Sequence, residues 1–143
     1  MLTANDITLV RASFAKVLPI KSVAADLFYD RLFEIAPQLR PMFPTDLKEQ
    51  KAKLMAMIAA AVGGLHDLNT LVPHVKALGA RHAGYGVTVA HYSLVGDALM
   101  WTLERGLADA FTPAVRSAWA KVYGVLAGTM QAGAVEAADN RAA

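Results

Sequence analysis

The chain has 143 residues, long enough for one domain (residues 1–143) with a substantial core and too short for a second. Hydrophobic residues make up 55% and charged residues only 18%, which argues against disorder. Lys and Arg (14) barely outnumber Asp and Glu (12), so the net charge of +2 leaves no footprint for nucleic acid. With no cysteine, disulfides, thiolate-held clusters and cysteine zinc sites are excluded, and any metal must be held by His, carboxylate, Tyr or Met.

The N-terminal residues, Met1 to Asp6, lack the basic start and apolar run of a signal peptide, and the expected location is the cytoplasm. A first helix is expected from about Thr3, with Asp6 completing a capping-box-like pair, to just before Pro19. A second runs from about Ser22 to Ala36, where Pro37 disfavours continuation, and Pro37 to Phe43 is a turn or a single helical turn. The next helix starts near Thr45 or Asp46 and reaches Val62, with Gly63 and Gly64 weakening its end. Its apolar run from Leu54 to Gly64 is too short to cross a membrane. A helical fragment between Pro73 and Gly84 follows, then a helix from about Ala90 to Leu107. The last is opened by Thr112 as N-cap and Pro113 as first helical residue, and Asp139 to Ala143 reads as a frayed tail. No strand pattern, repeat or linker interrupts this, so the fold class is all-α.

Three polar residues fall on apolar stripes. His82 shares one with Leu71, Val75, Leu78 and Tyr85, which would carry a neutral imidazole into the interior as a buried axial ligand requires; a hydrogen-bonded boundary histidine has the same pattern. Gln50 shares one with Leu47, Leu54, Met57, Ile58 and Ala61. A buried amide without partners costs about 1 to 3 kcal/mol, so Gln50 either meets a polar group or ligand or sits at the wet rim of its helix. Tyr29 lies with Ala25 and Phe33, and its phenol needs either a ligand or a backbone carbonyl. Phe43, after the proline-rich turn, is an apolar wall for any cavity these residues surround. His66, His74 and His91 read as surface or boundary residues.

Further landmarks are Leu27-Phe28-Tyr29-Asp30-Arg31-Leu32-Phe33, Pro37-Gln38-Leu39 followed by Phe43, Gln50 with Leu54, Arg81-His82, His91-Tyr92-Ser93-Leu94-Val95-Gly96, and Ala118-Trp119 through Tyr123-Gly124-Val125-Leu126. In this order and spacing, over nearly the whole chain, the sequence resembles a globin, specifically the globin module of the flavohaemoglobin and single-domain bacterial haemoglobin family. The resemblance implies a globin fold of about six to eight helices around haem b. It matches His82 to the proximal iron ligand, Phe43 to the porphyrin-packing Phe, Tyr29 and Gln50 to the distal polar pair and Leu54 to the apolar residue above the iron. Tyr92 matches the family's proximal tyrosine. Leu78, Tyr85, Val87 and Val95 are expected in the cofactor pocket, and Lys53 or Arg81 would pair with a propionate unless each is a solvated charge.

One position departs from the family. Its flavohaemoglobin members carry a glutamate in the last helix that bonds the proximal His and Tyr, and here that position is Ala134; Glu136 faces about 200° around the helix and does not replace it. Without a carboxylate, the His82 imidazole is expected to donate to a backbone carbonyl near Leu78. The function implied is reversible binding of oxygen and other diatomic gases, NO and CO among them, for transport or storage. A nitric oxide dioxygenase served by a separate reductase, or a gas sensor, is the alternative; a cofactor-free helical interaction module would bury His82, Gln50 and Tyr29 to no purpose. A monomer or weak dimer is expected, with no nucleic-acid or membrane partner.

Overall fold

The computed structural model describes residues 2–142, which form six α-helices joined by short turns, three of them single 3₁₀ pieces. Helix α1 (Ala4–Val17) starts as a capping box: Thr3 Oγ1 accepts from the Asp6 N–H and Asp6 Oδ2 accepts from the Thr3 N–H, each at 3.0 Å. Asp6 is buried and also receives Lys121 Nζ from the last helix at 3.5 Å. The Thr3 backbone bond chiefly, with the Thr3 hydroxyl and Lys121 adding to it, holds its carboxyl below the usual range despite burial. One cap thus orders a helix start and ties two distant helices.

Pro19 diverts the chain through a 3₁₀ turn, Leu18–Ile20, into α2 (Lys21–Ile35), one residue ahead of expectation at both ends. A second 3₁₀ piece, Pro37–Met42, follows. Its Arg40 donates to the carbonyls of Pro44 (2.8 Å) and Thr45 (2.9 Å) and lies over the Phe33 ring, which pins the loop to α2. Helix α3 (Lys48–Gly63) starts two residues later than Asp46, whose carboxylate accepts the Lys48 N–H at 2.9 Å.

The fragment expected between Pro73 and Gly84 is part of a longer helix, α4 (Leu68–Gly84), that runs through Pro73. Asp67 caps it, accepting from the Thr70 hydroxyl at 2.7 Å, and Pro73 lies early enough that one backbone bond is lost while burial of Val75 and Gly79 favours continuation. Helix α5 (Val89–Leu107) opens with the Thr88 N–H donating to His91 Nδ1 at 3.0 Å, giving that histidine a capping role. Helix α6 (Pro113–Ala142) starts as expected, with Thr112 Oγ1 accepting the Val115 N–H at 3.2 Å. It does not fray at Asp139: the backbone stays helical through Ala142, because Val135 to Asn140 contain no Gly or Pro and include the strong helix formers Glu136, Ala137 and Ala138. Ala143 lies outside the described residues.

Two apolar clusters hold the helices together. One joins α1, α3, α5 and α6 through Val10, Phe14, Met55, Leu103 and Trp119; the other joins α2 and α5 through Phe28, Tyr29, Leu32 and Ala98, with Phe33, Phe43 and Leu54 against it. Trp119 closes the first with a buried hydrogen bond, its indole N–H donating to Ser13 Oγ at 2.8 Å.

Candidate functional site

Among these helices lies a cavity of ≈ 380 Å³, walled almost entirely by apolar side chains of α3, α4, α5 and α6 and by Phe28 of α2. This is the size range of ligand and cofactor pockets. Helix α3 contributes Leu54, Met57, Ile58 and Ala61, whose i, i+3, i+4, i+7 spacing puts them on one face. Helix α4 contributes Leu71, Val75, Leu78 and His82, the stripe read from the sequence. The polar groups in the wall are few: His82, Arg81 and His74 from α4, Tyr92 from α5 and Tyr123 from α6.

His82 Nδ1 is 2.9 Å from the Leu78 carbonyl oxygen. A carbonyl can only accept, so Nδ1 carries the proton and Nε2 of the neutral ring keeps its lone pair, the form in which imidazole binds a metal. The backbone acceptor expected in place of a glutamate is therefore present. Among the described residues no group of three or more His, Asp or Glu could hold an ion by itself. Arg81 is exposed at the cavity wall.

Of the other expected residues, Leu54, Leu78, Val87, Tyr92 and Val95 are in the cavity wall. Tyr29, Phe43, Gln50, Lys53 and Tyr85 are not. Tyr29 is 2% exposed and packs edge-on to Phe28 and Phe43, with ring centroids 5.0 and 5.7 Å away. Phe28, its neighbour on α2, takes the wall position, and Leu54 and Val95 belong both to the wall and to the cluster around Tyr29. Burial raises the Tyr29 phenol above its ordinary range, opposed by hydrogen bonding with the Gln50 side chain. Gln50 is half-buried in the first turn of α3, and Leu54 packs against the cluster that contains Tyr29.

Lys53 is exposed on another face of α3. Tyr85 is 69% exposed, because α4 ends at Gly84 and the chain turns through Gly86 (φ +89°), which takes Tyr85 off the stripe it would continue in a longer helix. His74, read as a surface or boundary residue, is exposed but also borders the cavity.

No cavity-lining residue is expected on α6 from the sequence, yet one face of that helix lines the site. Trp119, Val122, Tyr123, Leu126, Ala127 and Met130 all wall the cavity. Tyr123 donates its hydroxyl to the Tyr92 carbonyl, and its ring lies so close over Gly96 that a Cβ there would be 2.8 Å from it. Burial, and then the nearness of Tyr92 and Asp97, pushes the Tyr123 phenol far above its ordinary range; burial alone raises that of Tyr92. The Gly96 landmark beside Tyr92 was the available signal that a large residue packs there.

Residues 26–130 match the Globin family model. The chain is a globin. It is 35% identical over 103 residues to a flavohemoprotein of Bacillus subtilis, an alignment covering 70% of this chain and 26% of that protein, so the globin spans about a quarter of that relative's length. It is also similar to neuroglobins over nearly their full length. For that of Danio rerio the identity is 30%, covering 92% of each chain; for that of Tetraodon nigroviridis it is 28%, covering 99% of this chain and 98% of the other. A solved structure of an engineered carbene transferase from Rhodothermus marinus, assigned as a nitric oxide dioxygenase, superposes over 100% of both chains with a TM-score of 0.87 at 25% identity. Globins bind haem and, through it, diatomic gases. No helix among the described residues is long and apolar enough to cross a membrane.

Proposed function

We propose that this globin holds haem b through His82 and binds oxygen reversibly. One observation carries the reading: an imidazole in the wall of a large apolar cavity, its Nδ1–H committed to the Leu78 carbonyl, with Nε2 left as a free lone pair. Leu54 and Phe28 would bound the cofactor on one side and Leu78 and Val87 on the other, with Arg81 meeting its carboxylates. Haem, when bound, supplies the iron that takes the gas. The protein's own contribution is to exclude water with apolar walls, fix the tautomer of His82, and offer the Tyr29 hydroxyl, backed by Gln50, as a hydrogen-bond donor to the ligand. Tyr29 and Gln50 do not line the cavity as it stands, so a bond from Tyr29 to the ligand requires a side-chain rearrangement at that end of the pocket.

A nitric oxide dioxygenase is the second reading, favoured by the Tyr29–Gln50 pairing and by the likeness to the flavohemoprotein. It requires an electron donor from another protein or domain. Absorption spectra of the purified protein test the first reading: wild type is expected to show a six-coordinate haem spectrum after oxygenation, and His82→Ala to lose stable haem or change its spectrum. A His82→Ala protein with the wild-type spectrum would refute the assignment. Nitric oxide consumption in air, with and without a generic flavin reductase, separates the two activities: sustained turnover with reductase favours the dioxygenase, stoichiometric consumption the carrier.

A further inference from the structure

Helix α4 carries the His82 imidazole, yet among the described residues α6 is the only helix with which it shares a substantial backbone interface; its other side faces the cavity. The joint is built from two glycines in a reciprocal arrangement. Gly79 of α4 lies against the Met130 backbone of α6, and Gly133 of α6 lies against the Lys76 backbone of α4. Each glycine therefore abuts the residue three places before the other glycine. A Cβ on either would fall well inside the van der Waals radii of the opposing carbonyl, and the obstacle is backbone, which cannot swing away. Both are buried, and the Lys76–Glu136 ion pair, 2.8 Å, spans the same crossing.

Gly79 directly follows Leu78, whose carbonyl orients His82, and lies three residues before His82 itself. Whatever sets the height of Gly79 above α6 sets the reach of the imidazole into the cavity. We infer that Gly79 and Gly133 are positioning residues for the proximal ligand: their crossing fixes the distance from His82 to the cofactor and so the strength of the iron–histidine bond. The inference rests on His82 being that ligand. Here α6 acts on the proximal histidine through a backbone contact, where a glutamate would act through its charge.

Gly79→Ala and Gly133→Ala would force the helices apart by about an ångström or more to restore a contact of about 3.5 Å. Since supporting interactions around metal ligands are worth about ten- to a hundredfold in metal affinity, haem transfer to an acceptor apoglobin should accelerate by about tenfold or more in both variants. The iron–histidine stretching frequency of the ferrous unliganded protein should shift. Gly84→Ala and Gly128→Ala, where an added Cβ meets nothing within 4 Å, should change neither. Wild-type haem retention and frequency in Gly79→Ala would overturn the inference.

The second arm removes the lever. In His82→Gly supplied with free imidazole the ligand is no longer attached to α4, so adding Gly79→Ala should leave the iron–imidazole frequency unmoved; a shift of the same size would mean general disruption and would equally overturn it. His82→Gly retaining the wild-type spectrum without imidazole would instead sink the ligand assignment. Should the alanine variants not fold, Glu136→Lys, on the exposed side of the joint, opposes like charges across it: a frequency shift supports the inference, and an unchanged frequency overturns it.

Discussion

Ser13→Ala tests how the cavity's rear wall is held. Trp119 is 3% exposed, and its indole N–H has Ser13 Oγ as its partner at 2.8 Å; the Ser13 hydroxyl in turn donates to the Leu9 and Val10 carbonyls at 2.7 and 3.0 Å. Removing the hydroxyl leaves a donor buried without an acceptor, which costs about 1–3 kcal/mol, whereas the Leu9 and Val10 carbonyls, inside α1, lose only a second partner. For a chain of this size that corresponds to a fall in Tm of roughly 3–10 °C.

Urea unfolding of the apoprotein should show the lower midpoint with an unchanged m value. The decisive comparison is a double-mutant cycle with Trp119→Phe. Phenylalanine has no N–H, so Ser13→Ala in that background should cost less than about 0.5 kcal/mol, the ordinary error of additivity. An equal cost in both backgrounds would refute the reasoning, since the penalty would not come from the orphaned indole. Trp119 also walls the cavity, so Ser13→Ala should hasten haem loss although Ser13 does not line it.

Tyr29→Phe should speed oxygen dissociation by about tenfold or more, the value of a hydrogen bond to a charged partner, and Gln50→Ala by less; stopped-flow traces with the reverse order would invert the hierarchy. Stability should fall above about pH 10, because the unfolded chain ionises its tyrosines near their ordinary value while burial keeps Tyr29, Tyr92 and Tyr123 protonated in the fold. Stabilisation present below that pH is then lost as pH rises, by up to about 1.4 kcal/mol per pH unit per tyrosine; a flat alkaline profile in urea titrations would contradict this. Ala134→Glu, which places a carboxylate where flavohaemoglobins carry one, should raise the iron–histidine stretching frequency; an unchanged frequency by resonance Raman would show that the His82 Nδ1–H stays with the Leu78 carbonyl.

Much of the site was legible because it is local. The α4 stripe of Leu71, Val75, Leu78 and His82 and the α3 stripe through Leu54, Met57, Ile58 and Ala61 follow from helical period, and both wall the cavity. The Thr3–Asp6 and Thr112–Pro113 starts follow from capping chemistry, which involves residues within one turn. Tyr85 shows the limit of periodicity: a stripe continues only while the helix does, and α4 ends one residue before it. Pro73 shows the converse, since a breaker read from local preference was outweighed by burial against a helix fifty residues away.

What the sequence alone determined was the helical class, the globin pattern and the candidacy of His82, all encoded in spacing along a single helix or in the order of landmarks. The tertiary structure decided which of the candidates meet. It placed Phe28 rather than Tyr29 in the wall, put Tyr123 over Gly96, and brought Gly79 and Gly133 into reciprocal backbone contact. None of these can be read from periodicity, because each depends on how two helices far apart in the chain rotate and approach, and that is set by side-chain volumes at their crossing rather than by either helix alone.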